Sequence, residues 1–134
     1  MDENLMERLR ERARKNRFTT HNHIELVAVD EQSAQVRLAI RDESKNPFGT
    51  VHGGALYTMA DNAAGFAAHA DGRQYVTQTG SMSFISNRAE GVITATARVR
   101  HRGRATCLTC VDVAAEDGTL LATGEFTFFC TGGK

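Results

Sequence analysis

The sequence has no excess of charge of either sign and no long apolar run. Sixteen Lys and Arg side chains balance sixteen Asp and Glu side chains, so the overall charge gives no indication of nucleic-acid binding. No apolar stretch approaches the length of a membrane-spanning helix, and the first residues are too charged for a secretory signal peptide. These features predict a soluble, cytoplasmic protein, and 134 residues predict a single domain over residues 1–134.

Cysteine is also scarce, which bears on metal binding. Cys107, Cys110 and Cys130 are an odd number, and no second closely spaced pair is present to complete a zinc site with the first two. Cys107 and Cys110 fall in a predicted strand, where residues three apart point to opposite faces. His21 and His23 share a strand face but have no carboxylate or cysteine set beside them. We therefore predict reduced, structural cysteines and no metal site.

The single proline, Pro47, lies in a turn just before the most informative stretch of the chain. A glycine pair, Gly53 and Gly54, opens a run of small residues that favours a buried helix of about four to five turns. The first free backbone N–H groups of this helix lie near the two glycines, where no side chain blocks an anionic oxygen. Asp61 falls in the helix interior, where burying a carboxylate is costly unless it is paired or used.

The rest of the chain is predicted as a charged N-terminal helix and six strands. Residues 1–17 carry a thin apolar stripe among interleaved charges, which is typical of a short surface helix. Segments with a period of two follow at about residues 24–29, 34–41, 75–85, 91–101, 105–115 and 119–131. Short turns connect antiparallel neighbours, so one long helix against one antiparallel sheet, an α+β domain, is expected.

One predicted strand has a face rich in hydroxyl groups. Alternation places Thr77, Thr79, Ser81 and Ser83 on the same face. Such a face is either exposed to solvent or lines a polar pocket, and the pattern does not choose between the two. Gly80 interrupts the strand and indicates a bulge or a close backbone approach.

The next strand carries a predicted row of positive charge. Arg98, Arg100 and Arg102 alternate along it, and Arg104 follows the turn at Gly103. Guanidinium groups recognise phosphates well, so the row is either a phosphate-binding surface or a solvated strand face that deters edge aggregation.

Six residues before and within the long helix carry a resemblance to a known family: Asn46, Gly49, His52-Gly53-Gly54 and Asp61. The pattern resembles the hotdog-fold acyl-CoA thioesterases, in particular the PaaI-like branch from phenylacetic acid degradation, and extends from about residue 18 to residue 129. It implies an antiparallel sheet of about six strands wrapped around one long helix, with residues 1–17 as an N-terminal helical extension. It also implies a homodimer that assembles into a homotetramer.

The resemblance implies hydrolysis of a small acyl- or aryl-acyl-CoA to the free acid and CoA, with the CoA thioester as substrate and no cofactor. The catalytic residues that it implies are Asp61, Gly53, His52, Asn46 and Thr77. Asp61 is the expected general base or nucleophile, and burial is expected to raise its pKa. The Gly53 N–H is expected to polarise the thioester carbonyl, and the site is expected to be shared between two protomers.

Substrate contacts are also implied, by the family and by the row of arginines. They are Gly54, Leu56, Tyr57, Thr79, Arg102, Gly103 and Arg104. Thr79 is also the alternative to Thr77 as the catalytic hydroxyl, depending on the register of the strand. His52 and Asn46 are expected to orient substrate or water. The small polar residues of the Thr77–Ser83 strand leave the identity of the acyl group open.

Other interpretations of the same residues are possible. Each of three residues also has an interpretation without a chemical role. Asp61 would then be a buried polar residue that is hydrogen-bonded to hydroxyl groups, and His52 would be an N-terminal residue of the helix. Asn46 would organise its own turn. The alternative function is a non-catalytic acyl-CoA-binding hotdog domain, although binding alone does not need a buried carboxylate. Hotdog hydratases use a His with a carboxylate at a different spacing, which this sequence does not have.

Overall fold

Residues 1–133 are described by the structure, which is a computed structural model. Lys134, the last residue of the domain predicted over residues 1–134, lies outside the described residues. In chain order the elements are α1 (Glu3–Lys15), α2 (Arg17–His21), β1 (Ile24–Val29), β2 (Ser33–Ala39), α3 (Gly53–His69), β3 (Gln74–Phe84), β4 (Val92–Arg102), β5 (Thr106–Ala115) and β6 (Leu120–Gly132). Within the described residues, no helix has the length and apolar character that crossing a membrane requires.

The six strands form one antiparallel sheet in the order β1-β2-β4-β5-β6-β3. α3 packs against one face of this sheet and contacts every strand. The predicted α+β architecture is therefore confirmed, and each strand begins and ends within two residues of its predicted position. β1 and β3 are the two edges of the sheet, so one side of each has no neighbouring strand among residues 1–133.

The N-terminal region contains two helices where the sequence predicts one. α1 is confirmed, and it buries Leu9 against the core. Asn16 ends α1 because its backbone is extended, and its side-chain oxygen accepts the Thr19 N–H at 3.1 Å, which caps the start of α2. The short α2 is therefore set by a local cap rather than by an apolar period.

The core lies between α3 and the sheet. The helix contributes mainly alanines to it, and these small side chains let the helix axis approach the strands closely. The strands supply the larger groups, among them Leu38, Ile93 and Phe126, which are fully buried. The helix predicted from its run of small residues is thus the buried centre of the fold. The packing of this helix against the sheet sets the direction of the Asp61 side chain.

A bulge in β3 corrects the prediction that four hydroxyl residues share one face. Thr77 pairs with Phe128 and Thr79 pairs with Thr127, so the intervening Gln78 has no partner on β6. Because one extra residue inverts the alternation, Thr77 lies on the face towards α3 with the buried Phe128. The later hydroxyl residues lie on the opposite face: Thr79, Ser81 and Ser83.

A second bulge, in β4, corrects the predicted row of arginines. Val99 pairs with Thr109 and His101 with Leu108, so Arg100 is the extra residue. Arg102 consequently pairs with the buried Cys107 and turns towards α3, whereas Arg98 and Arg100 stay exposed on the outer face. The three arginines therefore do not form one continuous positive surface.

The cysteines lie as alternation predicts. Cys107 is buried in the core, Cys110 lies on the other face of the same strand, and all three cysteines are free. Within residues 1–133, no three His, Cys, Asp or Glu side chains converge as metal ligands.

Candidate active site

The N-terminus of α3 presents one free backbone donor. His52 precedes the helix, and its Nδ1 accepts the Gly54 N–H at 2.8 Å. The neutral ring therefore carries its proton on Nε2. Among the hydrogen bonds within residues 1–133, none uses the Gly53 N–H. Free donors were predicted near both glycines, and the structure leaves only that of Gly53.

The loop before α3 is held together by Asn46. Its side-chain oxygen accepts the Phe48 N–H at 2.9 Å and the Thr50 N–H at 3.2 Å, while its NH₂ group donates to the Thr50 hydroxyl at 3.0 Å. Asn87 fastens the loop by donating to the Val51 carbonyl at 2.9 Å. Both ends of the Asn46 amide are thus committed to the turn, as expected of an asparagine that organises its own backbone.

Asp61 is a half-buried carboxylate in the middle of α3. The Thr77 hydroxyl donates to its Oδ1 at 2.8 Å, because the bulge in β3 turns Thr77 towards the helix. Within residues 1–133 this is the only hydrogen bond to the carboxylate, and no cation pairs with it. Burial raises the pKa of Asp61 above its ordinary value, and the hydrogen bond from Thr77 offsets part of that rise.

Asp61 and Thr77 open into a cavity of about 270 Å³. Its apolar lining residues are Phe66, Phe128 and Val76, and Gly65 leaves space along the helix, while the polar Asn62 and Tyr75 also line it. The far end is polar and is lined by three residues that the sequence analysis did not single out: Arg12, Asn16 and His69. No local signal identifies them, because they meet only where α1 docks onto the end of α3.

A second polar group lies at the C-terminus of α3. Arg102 donates to the Ala68 carbonyl at 2.7 Å and to the Ala67 carbonyl at 3.1 Å, and it lies 3.0 Å from Asp71. The pKa of Asp71 lies below its ordinary value. Burial acts to raise this pKa, but hydrogen bonds from Tyr75 and Arg73, together with the charge of Arg102, lower it by more. Burial and the bond to Asp71 also raise the pKa of Tyr75 to about 12.

This arrangement changes the interpretation of the predicted CoA contacts at residues 102–104. Arg102 caps the last carbonyls of α3, which is a structural position. The Gly103 and Arg104 carbonyls accept hydrogen bonds from Arg73 at 2.9 and 2.8 Å. Of these residues only Arg104 keeps an exposed side chain, with no hydrogen bond from its guanidinium within residues 1–133.

Two other predicted substrate contacts, Leu56 and Tyr57, lie on different faces of α3. Leu56 is 1% exposed and packs in the core, so its side chain does not line the cavity beside Asp61. Tyr57 is partly exposed, packs edge-on against Phe126 at 5.2 Å between ring centroids and lies over Gly80. The approach predicted at Gly80 is therefore real, since a side chain there has no room beside the Tyr57 hydroxyl.

Gly53 and Asp61 lie apart within one chain. They are eight residues apart on α3, which corresponds to about 12 Å along the helix axis. A single thioester group has to meet its attacking group and its oxyanion donor within about 3 Å of each. One chain therefore holds the two predicted halves of a site without bringing them together.

A family model described as the thioesterase superfamily matches residues 48–122, more than half of the chain. This chain belongs to the thioesterase superfamily. The Escherichia coli acyl-coenzyme A thioesterase PaaI is 28% identical over 100 residues, which cover 74% of this chain and 71% of that protein. The 1,4-dihydroxy-2-naphthoyl-CoA hydrolase of Listeria monocytogenes is 28% identical over 107 residues, covering 78% and 87%. This superfamily member is therefore a PaaI-like thioester hydrolase.

Solved structures confirm the hotdog fold of this superfamily member. The E. coli PaaI structure superposes with a TM-score of 0.91 at 23% identity, covering 97% of this chain and 95% of that one. A hypothetical thioesterase of Streptococcus pneumoniae, solved with coenzyme A, gives 0.78 at 28% identity, covering 83% and 88%. The same protein was solved with alanine replacing an aspartate and, separately, a threonine. Those positions are sixteen residues apart, as are Asp61 and Thr77 here.

Proposed function

We propose that this chain hydrolyses acyl-CoA thioesters to a carboxylic acid and free CoA. The observation that carries the proposal is the environment of Asp61, a half-buried carboxylate that pairs with no cation within residues 1–133 and opens into a cavity with Phe66 and Phe128 in its walls. Such a carboxylate is costly to the fold, which is typical of a group retained for chemistry. The CoA-thioester activity of the two relatives and the coenzyme A in the streptococcal structure support this substrate class.

Asp61 acts on the thioester carbonyl carbon in one of two ways. As a general base it removes a proton from water while the water oxygen attacks the carbonyl carbon; as a nucleophile its own oxygen attacks. In both cases the C–S bond then breaks, CoA leaves as the thiolate, and a proton restores the thiol. The general-base route releases the carboxylic acid directly, whereas the nucleophilic route leaves the acyl group on Asp61 as a mixed anhydride, which water then hydrolyses to release the acid and restore the carboxylate. Thr77 holds the carboxylate in position, and the raised pKa makes Asp61 a stronger base while it is ionised.

The Gly53 N–H stabilises the oxyanion that forms on the carbonyl oxygen. It is unpaired within residues 1–133 and lies at the positive end of α3, where backbone donors and the helix dipole act together. His52 holds the adjacent N–H and keeps its own Nε2–H available to orient substrate or water. Asn46 contributes indirectly by fixing the loop that leads into this donor.

A second copy of the chain completes the site, with Asp61 and Thr77 of one protomer facing Gly53 and His52 of its partner. The separation of about 12 Å along α3 within one chain supports this arrangement. So does the edge strand β3, which has a free side over its length and leaves Val76 and Phe84 each 54% exposed. Edge-to-edge pairing covers such a strand. We extend the proposal to a homotetramer built from two such dimers.

The acyl group is small or aromatic. A cavity of about 270 Å³ has the size of a pocket for such a group, and Phe66 and Phe128 in its walls supply apolar contacts. The larger CoA portion lies outside this cavity.

Release of free thiol from a panel of acyl-CoAs tests the proposal. Wild type is expected to release thiol from at least one member, and Asp61→Asn is expected to lower that rate by about 10²-fold or more, as loss of a general base does. Asp112→Asn is the matched control, because Asp112 also accepts a threonine hydroxyl, from Thr123 at 2.7 Å, but is exposed on the outer face. Acyl-CoA binding without thiol release from any member supports a non-catalytic binding domain instead.

A further inference from the structure

The cavity that contains Asp61 has a second polar end, which hydrolysis itself does not use. Arg12 from α1, Asn16 at the cap of α2 and His69 at the end of α3 line this end. Phe66, Phe128 and Val76 lie between the two ends, while the remaining polar lining residues belong to the ends: Asn62 follows Asp61 on α3, and Tyr75 contacts His69. A pocket that is polar only at its two extremes fits a molecule with polar groups at both ends and an apolar middle.

Arg12 places a positive charge at this far end. Its guanidinium donates to His69 Nε2 at 3.0 Å and to the Gln74 side-chain oxygen at 2.8 Å. Both partners are uncharged in this arrangement, and no carboxylate oxygen lies within 4.0 Å of Arg12 among residues 1–133. A guanidinium carries more N–H donors than these two bonds use, so the group is fixed in orientation and retains donors for a ligand.

The groups around Arg12 add donors and no anion. His69 contacts the Gly65 carbonyl through Nδ1 at 2.7 Å, so Nδ1 carries the proton and Nε2 accepts from Arg12 and from the Tyr75 N–H at 3.2 Å. The Asn16 oxygen is used by α2, while its NH₂ group makes no hydrogen bond within residues 1–133. The far end therefore offers N–H donors and a positive charge, which is the complement of a carboxylate.

The two ends are separated by a length that suits a short acyl chain. Asp61 and His69 are eight residues apart on α3. From the helix rise of about 12 Å, less about 3 Å of contact distance at each end, roughly 6 Å is left for the acyl chain. An extended chain of about six carbons, with the thioester carbon at one end and a carboxylate at the other, spans this distance.

We infer that the preferred substrate carries a carboxylate at the far end of its acyl group, and that Arg12 is the residue that selects it. The inference rests on the proposed function, because it places the thioester carbon beside Asp61. Arg12 then binds the carboxylate through parallel N–H bonds while the apolar walls hold the methylene chain. His69 and Gln74 position Arg12 for this contact.

Matched pairs of thioesters test the inference. Adipoyl-CoA is compared with hexanoyl-CoA, and suberoyl-CoA with octanoyl-CoA, so that each pair differs only in a carboxylate or methyl end. Wild type is expected to favour the carboxylate-ended member by about ten-fold or more in kcat/KM. Equal values, or preference for the methyl-ended member, overturn the inference and leave the thioesterase proposal standing. No thiol release from any acyl-CoA overturns both.

Arg12→Met is expected to abolish or reverse this preference. The readout is the ratio of kcat/KM for the two members of a pair within one variant, which does not depend on the amount of folded protein. Arg10→Met is the matched control on the same helix, since Arg10 lines a different cavity, and it is expected to keep the wild-type ratio. A wild-type ratio in Arg12→Met overturns the inference.

Truncated thioesters separate recognition of the acyl tail from recognition of a CoA phosphate. The same acyl pairs are prepared on N-acetylcysteamine, which lacks the nucleotide. If Arg12 binds the acyl carboxylate, the preference persists in these thioesters and disappears in Arg12→Met. If Arg12 instead binds a phosphate of CoA, Arg12→Met lowers kcat/KM equally for both members of each CoA pair, and this outcome overturns the inference.

Discussion

At the scale of single residues, the position of Asp61 combines a cost to folding with the catalytic role that we propose for it. Its pKa is raised by burial, and one threonine hydroxyl offsets only part of that rise. The folded state therefore binds a proton more tightly at this site than the unfolded chain does. Stability associated with the site is present at acid pH and is lost as pH rises from about 3.8, the ordinary value, through the folded pKa.

Asp61→Asn should accordingly separate stability from activity. Asparagine keeps the shape and can still accept the Thr77 hydroxyl, but it is never ionised. We expect the melting temperature of the variant at pH 7 to equal or exceed that of wild type, and the difference to vanish near pH 3, where the wild-type carboxyl is protonated. Calorimetry over this pH range measures it, and a lower melting temperature at pH 7 contradicts the raised pKa.

Thr77→Val should move the acid limb of the pH–activity profile. The Thr77 hydroxyl stabilises the ionised carboxylate, so its loss raises the pKa of Asp61 further. Because the base acts only when ionised, the fall in kcat/KM on the acid side should begin at a higher pH. Thr123→Val, which removes the equivalent hydroxyl from the exposed Asp112, should leave the limb in place.

Gly53→Pro tests the candidate oxyanion donor with little change to the helix. Residue 53 is the first residue of α3, a position that favours proline, and His52 before it has the extended backbone that proline requires. Loss of the N–H is expected to lower kcat by about 10²–10³-fold. Gly53→Ala keeps the donor, and its added carbon lies at 3.7 Å from the Phe84 ring, an ordinary contact. Similar activities of the two variants would falsify the assignment.

At the scale of elements, the sequence predicts the helix and the strands well but not the faces that two strands present. A run of small residues identifies α3, and a period of two identifies all six strands because burial of one face is a local requirement. The bulges at Gln78 and Arg100 depend on how β3 and β4 pair with their neighbours, which a single strand does not encode. The bulge in β3 turns Thr77, and not its register alternative Thr79, towards Asp61. The bulge in β4 removes Arg102 from the predicted phosphate surface.

The polar end of the cavity escaped prediction for a related reason. α1 is recognisable from its charges and thin apolar stripe, but nothing local indicates that Arg12 meets His69 and Gln74, which are more than fifty residues away in the chain. The candidate catalytic residues near α3 could be proposed from the sequence because their spacing is compact. The residue that we infer to select the acyl group could not.

The interpretation of Arg102 as a helix cap can be measured directly. Its side chain is only 18% exposed and contacts both the α3 carbonyls and Asp71. Arg102→Met is expected to lower the free energy of unfolding by about 3 kcal/mol, because it removes a positive charge that stabilises the partly buried Asp71 carboxylate. Arg104→Met, on an exposed side chain, should change it by no more than about 0.5 kcal/mol. Urea unfolding distinguishes the two, and equal effects contradict the capping role.

At the scale of the whole molecule, the proposed function places one site between two copies of the chain. The helix is long enough to separate its N-terminal donor from Asp61 by about two turns, and the free edge of β3 gives the second copy a surface to pair with. Activity and dimerisation should therefore be lost together when the β3 edge is blocked.

Complementation between two inactive variants tests this arrangement most directly. Asp61→Asn and Gly53→Pro are coexpressed with different tags, and the mixed dimer is isolated by both tags. If each site takes Asp61 from one protomer and Gly53 from its partner, one of the two sites in the mixed dimer carries both substitutions and the other carries neither. The mixed dimer is therefore expected to recover roughly half of the wild-type thiol release per dimer. If the mixed dimer forms and its activity stays at the level of the two parent variants, the shared site is contradicted.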